Sequence, residues 1–340
     1  MLICSGCIRN ENKSVIFSLG TENSRMLPFI SLVPPYMKRK SIRTLLPSSH
    51  APLPFGPPSS LAPWHYQSSD SSGKYFVFST GVGLEIRTSP DRTAFTFVGL
   101  VWPNGASWTD PYTLTSNGAL WAPDCYYANG VFHLYYATSS FGSQNSAIFY
   151  ATSSTGLPGS FTNHGLVTST SSSNNYNAID PNLLVDGSNW YLSLGSFWTG
   201  IKVESVSLST GFPTSSVTSI AQRTANGGAI EASVIYKHGS FYYLFTSWDL
   251  CCRGTSSTYN IRVGRSTSPT SGFVDQAGVA LTSGGGTLVL GTHGSIVGPG
   301  GQDLMDDVDG PILVYHYYTS SGSFLGINRL DFSTGWPAVV

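Results

Sequence analysis

Glu231 lies in the stretch Ala229-Ile-Glu-Ala232, an apolar setting in which an unpartnered carboxylate would be costly. Such a setting raises a carboxyl pKa, and a Glu that keeps its proton near neutral pH can hand it to a leaving group. Asp180, in Asn175-Tyr-Asn-Ala-Ile-Asp-Pro181, is a second candidate. It precedes a proline, where capping a turn is a common use of Asp. A carboxyl of the first kind would serve general-acid chemistry.

Residues so far apart meet only where a fold brings separate segments to one point. Past residue 70 the chain carries a repeat able to do so. A Gly turn, an aromatic-rich strand, a Ser/Thr or Gly break and often a second strand recur as GKYFVFSTGVGLEIRTS from Gly73, NGVFHLYYATSS from Asn129, GSNWYLSLGSFWTGIKVESVSL from Gly187, HGSFYYLFTSW from His238 and DGPILVYHYY from Asp309. The leading glycines, Gly73, Gly130, Gly187, Gly239 and Gly310, stand 57, 57, 52 and 71 residues apart, with no helical stripe between copies. That period predicts an all-β, five-bladed β-propeller, a single domain over residues 64–340. A β-sandwich with irregular loops is the competing architecture. In a propeller the innermost strands converge on a central channel, so short polar motifs from different blades can meet there.

Composition agrees. Charged residues make up 10% of the 340 residues, well under the roughly one quarter of an average soluble protein. Abundant Gly, Ser, Thr and Tyr suit short strands, turns and a neutral, hydroxyl-rich ligand. A net charge of -1 gives no pull toward nucleic acid or an anionic membrane surface. No apolar run approaches the roughly 20 residues that span a bilayer. Of the five cysteines, Cys4 and Cys7 form a lone CxxC with no second pair to complete a zinc tetrad. Cys251 and Cys252 are adjacent, either joined to each other or buried as two thiols.

Residues 1–63 read differently. The first 50 hold seven Lys/Arg against two Glu and no sustained strand or helix period, and they run into a Pro-rich stretch from Pro47 to Pro63. The longest apolar run, Met26 to Met37, is interrupted by Pro28, Pro34 and Pro35 and leads into Lys38-Arg39-Lys40, unlike a secretory leader. This segment is expected to be disordered, an unusual leader or the product of an incorrect gene model.

Trp121-Ala-Pro-Asp124, Ser139-Ser-Phe-Gly142 with Ser146-Ala-Ile148, Asn175 to Pro181, Gly195-Ser-Phe-Trp198, Ala229 to Ala232, Cys251-Cys252, Gly264-Arg-Ser266 and Gly298-Pro-Gly-Gly-Gln302 occur in this order. Together they resemble the endo-1,5-α-L-arabinanases of glycoside hydrolase family 43, from about Gly73 to Trp336. The resemblance implies an inverting hydrolase acting within linear arabinan, with three carboxylates at the centre of a five-bladed propeller. Inversion places acid and base roughly 6.5 to 9.5 Å apart.

Matched motif by motif, Glu231 takes the place of the general acid, and Asp180 that of the residue tuning and positioning it. Asn177, Ala178, Ile179 and Asp180, with Ser196, Phe197 and Trp198, resemble sugar-contacting segments. Trp198 would offer a flat face to an arabinofuranose ring, or else fill the gap between blades. Asp124 is expected to pin a turn at the start of the second blade. Ser233 stands where the family usually has Pro. His293, in Gly291-Thr-His-Gly294, matches a position where some members place a histidine near a central calcium; a His hydrogen-bonded in the channel wall is the plainer reading. No other cofactor is implied. The expected partners are arabinan and arabino-oligosaccharides, met by a monomer outside the cell in the degradation of plant cell-wall polysaccharide.

One departure bears on activity. The family's general base is an Asp in a His-Asp-Pro motif shortly before the first blade strand, and no Asp occurs here before Asp70. Counting back from Gly73 puts Leu61-Ala62-Pro63 at that place, with Ala62 where the base should be. His50-Ala51-Pro52 lies too far upstream, and Asp70 reads as part of a hairpin turn. The alternative to an active hydrolase is a catalytically impaired, arabinan-binding propeller.

Overall fold

The repeated aromatic and β-branched runs become strands, because such side chains pack well on a pleated surface. The computed structural model describes residues 74–340, so the segment 1–63, its boundary, Cys4, Cys7, Ala62 and Asp70 lie outside the described residues. In the first blade β1 (Tyr75–Ser79) is followed by the two-residue β2 (Gly81–Val82), β3 (Glu85–Ser89) and β4 (Thr96–Leu100). The second holds β5 (Ala119–Ala128), β6 (Val131–Thr138), β7 (Ser146–Ser153) and β8 (Thr162–Thr170). The third holds β9 (Asn182–Asp186), β10 (Asn189–Leu194), β11 (Ile201–Val206) and β12 (Thr218–Ala221). The fourth holds β13 (Ile230–His238), β14 (Phe241–Trp248), β15 (Asn260–Ser266) and β16 (Thr287–Leu290). The fifth holds β17 (Val297–Asp307), β18 (Gly310–Thr319), β19 (Gly322–Asp331) and β20 (Ala338–Val339).

Neighbouring strands pair antiparallel in chain order within each of the five sheets, except that β2 crosses to pair with β5. The hairpin between β5 and β6 turns on Asn129 and Gly130, at φ 52° and 80°. These are the left-handed positions of a type I′ turn, which Asn-Gly supplies. Among the described residues the only α-helix is the four-residue α1 (Asp110–Thr113). No helix there is long and apolar enough to cross a membrane.

The core is divided among the junctions between blades. Phe76, Phe78 and Ile86 pack with Phe132 and Leu134 between the first and second blades. Trp121 and Tyr135 pack with Leu183 and Trp190 between the second and third. Ile201 and Val203 meet Ile230 and Leu244 at the next junction, and Val234 and Tyr243 meet Leu313 and Tyr315 at the one after. Val77 then packs with Ile312, Val314 and Leu325, so the fifth blade closes on the first. The Tyr75 hydroxyl donates to Asp307 at 2.9 Å across this seam, and Arg92 pairs with Asp307 and Asp309. Five sheets joined in a ring form a five-bladed β-propeller. The sandwich alternative is excluded, since each sheet packs on two neighbours rather than on one facing sheet.

Polar bridges tie the inner strands together. Asp124, buried on β5, accepts from Asn182 Nδ2 and from the Leu183 amide, both at 2.8 Å, and Asn182 Oδ1 accepts from the Ile235 amide at 3.1 Å. Asp124 therefore links the second blade to the third instead of pinning a turn. Burial pushes its carboxyl up to about 8 against those hydrogen bonds. Asp124→Ala would strand two buried donors and is expected to destabilise the fold by about 1–3 kcal/mol, read as a lower urea midpoint.

β1 corresponds to β6, β10, β14 and β18, each of which follows a turn marked by the repeat's glycine. In the other four blades an innermost strand precedes that turn. In the first blade the matching residues precede Gly73 and fall outside the described residues, as does the general-base position.

Candidate active site

Two backbone irregularities aim the carboxyls. Pairing between β13 and β14 is regular until it shifts between Glu231 and Val234, with Ala232 at φ 50°. Such a bulge bends the strand and re-aims a side chain. Asp180, at φ 55° just before β9, adopts a left-handed conformation that Asp tolerates better than most residues. Its Oδ2 accepts from the Ala232 amide at 2.9 Å, and Gln302 Nε2 donates to the Ala232 carbonyl at 2.5 Å. The residue after Glu231 is thus clamped from both sides, and Asp180 is brought against the backbone that carries the acid.

Glu231 is 0% exposed. Its Oε2 accepts from the Ser196 hydroxyl at 2.8 Å and its Oε1 from the Tyr259 hydroxyl at 2.5 Å. Burial first, and the charge of nearby Asp180 second, push its pKa well above the usual carboxyl range, against the lowering effect of the two hydroxyls. Both causes favour the protonated form of the carboxyl. Asp180→Asn keeps an acceptor for Ala232 and a side chain suited to positive φ, yet removes the charge. The Glu231 pKa is then expected to fall, so the basic limb of the pH–rate profile moves to lower pH. Each unit of that shift costs about tenfold in turnover on the alkaline side.

Ser196, which donates to Glu231, also lines a groove of about 340 Å³ together with Trp121, Phe141, Asn177, Phe197 and Trp198. Phe141 is 58% exposed and Trp198 39%, so both present aromatic surface to the groove instead of filling the space between blades. Phe197 and Trp198 are held at φ 53° and 40°. Consecutive left-handed residues of this size persist only where the surroundings impose them. Here the Phe197 amide donates to the Ile230 carbonyl at 2.9 Å and the Gly200 amide donates back to the Phe197 carbonyl at 2.6 Å. Ala178 and Ile179 lie buried beneath, their backbone held by Thr170 Oγ1 and by the Gly195 amide. The expected segments Asn177–Asp180 and Ser196–Trp198 thus meet at one place, beside Glu231. Ser233 donates to Ser193 Oγ at 3.0 Å, which ties the bulge to the third blade.

His293 does not join this constellation. It is exposed in a tight turn with Ile296, its Nδ1 2.8 Å from the Gly291 carbonyl oxygen. Among the described residues no group of three or more His, Cys, Asp or Glu is placed to hold a metal ion. His293 therefore stands apart from any such group. The histidine buried near the site is His316, whose Nε2 lies 3.2 Å from the Tyr318 hydroxyl.

Tyr259 and Phe141 stand at the candidate site without being singled out by the sequence. Tyr259 is one of 18 tyrosines and carries no motif of its own. Phe141 stands within a matched motif, Ser139 to Gly142, with nothing to show that its ring is exposed.

Comparison with known proteins agrees with this geometry. A probable arabinan endo-1,5-α-L-arabinosidase A of Aspergillus fumigatus is 45% identical over 285 residues, covering 79% of this chain and 88% of that protein. An exo-1,5-α-L-arabinanase from a bovine ruminal metagenomic library has a similar structure, with TM-score 0.77, 33% identity, and 82% and 96% of the two chains covered. The structure of a Cellvibrio cellulosa α-L-arabinanase complexed with arabinohexaose superposes with TM-score 0.76 at 31% identity, covering 82% and 95%. Residues 58–337 match the glycosyl hydrolases of family 43, and the chain belongs to that family.

Proposed function

We propose that this chain is a hydrolase of α-1,5-L-arabinofuranosidic bonds within linear arabinan, working by inversion. The single observation that carries the reading is Glu231, fully buried, raised in pKa, beside Asp180 and hydrogen-bonded to Ser196 in the wall of an aromatic-lined groove. A sugar ring laid on Trp198 or Phe141 has its apolar face covered, while Asn177 and Ser196 offer polar atoms to its oxygens. Glu231 then gives its proton to the departing glycosidic oxygen, and water attacks the anomeric carbon from the opposite face. Internal cleavage is favoured because the relative at 45% identity carries an endo name. A substrate of the plant cell wall also implies action outside the cell.

A specific observation favours a second reading, in which arabinan is bound and not cleaved. At the place of the attacking water's base the sequence has Ala62, which cannot take a proton. Incubation with linear arabinan and chromatography of the products separates the two. Rapid release of short oligomers supports endo hydrolysis, and monomer alone from the outset would show exo action. Retention on an arabinan column with no products would overturn the enzymatic reading. Proton NMR of the first product anomer checks inversion.

A further inference from the structure

With Glu231 as the general acid, the proposed role on which this inference rests, we propose that the Cys251–Cys252 disulfide is a positioning element for that acid, holding Tyr259 on the Glu231 carboxyl. The two adjacent cysteines are joined in the loop between β14 and β15. Cys251 is 1% exposed and packs on Tyr259, in a small cluster with Phe197, Leu250 and Cys252. Cys252 also packs against the cluster of Trp121, Ala178 and Ile179. The bonded pair therefore lies between the residue that donates to Glu231 and the floor of the groove.

The loop is built to transmit the constraint. Thr258 donates its amide to the Leu250 carbonyl at 2.8 Å, and Thr258 Oγ1 accepts from the Leu250 amide at 3.2 Å. The Arg253 amide donates to Ser257 Oγ at 3.0 Å. The loop thus closes on itself between the cysteines and Tyr259. On the other side the Cys252 amide donates to the Tyr318 hydroxyl at 3.0 Å, and that hydroxyl meets His316 Nε2. One covalent unit thereby ties the fourth blade to the fifth beside the acid.

General stabilisation does not account for the bond. Cross-linking restrains an unfolded chain in proportion to the logarithm of the loop closed, and neighbouring residues close the smallest loop there is. What the bond does restrict is the local backbone, where Cys252 is held at φ 66°. Opening it should free the loop and loosen Tyr259 while leaving the five inter-blade cores in place.

The direction of the effect follows from the hydrogen bond. The Tyr259 hydroxyl donates to the carboxylate and lowers the pKa of Glu231. Loosening it removes a donor to the charged form, so the Glu231 titration moves upward.

Reduction by an external dithiol tests this on the full chain. The dithiol supplies two electrons and two protons, the Sγ–Sγ bond breaks to give two thiols, and the dithiol becomes a cyclic disulfide. Cys252 is partly exposed and open to attack. Mass spectrometry of the alkylated peptide verifies that both thiols are free. Glu231 is titrated by difference infrared spectroscopy, with Glu231→Gln as the blank, so no turnover is needed. The expected result is a midpoint about one unit higher on reduction, the size of one charge-assisted hydrogen bond. The thermal midpoint should hold within about 5 °C, a change that corresponds to a small loss of stability. Reoxidation should restore the original titration. Cys251→Ser with Cys252→Ser should reproduce the reduced state without reductant. An unmoved titration after complete reduction overturns the proposal, and so does a shift that comes only with collapse of the thermal midpoint. A chain that releases no product still gives a readable titration, so this proposal and the hydrolase reading fail separately.

Discussion

Ala62→Asp is expected to raise the turnover of linear arabinan by about a hundred- to ten-thousand-fold, the usual contribution of a positioned general base. If no other group takes the place of the base, water in the wild-type chain attacks without help, and Ala62→Asp supplies what is missing. The gain should appear in kcat with little change in KM, because a base acts in the transition state and adds little to ground-state binding. Initial rates of reducing-end release check this. An unchanged rate in a variant that still binds arabino-oligosaccharides would place the base elsewhere and count against Leu61-Ala62-Pro63 as the displaced motif.

Glu231→Gln should lose about a hundred- to ten-thousand-fold in turnover, most legibly in the Ala62→Asp background. The amide is close in shape to the acid but has no proton to give. It also presents an NH₂ to one of two hydroxyls that now both donate, Ser196 or Tyr259, so one of these must turn. The loss should depend on the leaving group. An aryl arabinofuranoside departs without protonation and should keep most of its rate, whereas arabinan should not. Equal losses on both substrates would mean that Glu231 acts by holding the site together and not as an acid.

The two variants also separate the readings of this chain. If Ala62→Asp creates activity where there was none, the wild-type protein is a binding propeller with an intact acid. If the wild-type chain already cleaves arabinan, another group serves as base, and Ala62→Asp need not help.

Much of the fold and part of the site are legible in the amino-acid sequence. The spacing of Gly73, Gly130, Gly187, Gly239 and Gly310 marks the five blades, because each blade needs one tight turn between its inner strand and the strand that follows. Glu231 stands out because an apolar context and a carboxylate conflict locally, and such conflicts are kept where function requires them. Motif position points to His293, yet that residue is exposed while His316 is buried. No local pattern tells the two apart, since the burial of His316 depends on Tyr259 and Gly301 from other segments. Asp124 shows a similar limit. Its partners Asn182 and Leu183 lie in the next blade, and no spacing rule connects them.

Fold class and blade number follow from the order of residues alone, because turns and strand periodicity are local properties, while Glu231 and Asp180 are picked out by motif resemblance and, for Glu231, by its apolar context. What those carboxyls experience is set by the folded chain. The pKa of Glu231 depends on full burial and on Asp180, Ser196 and Tyr259 converging from separate stretches of chain. That Cys251 and Cys252 are bonded, and that they press on Tyr259, is likewise a fact of packing. Desolvation and contact are summed over neighbours in space, and a propeller takes those neighbours from different blades.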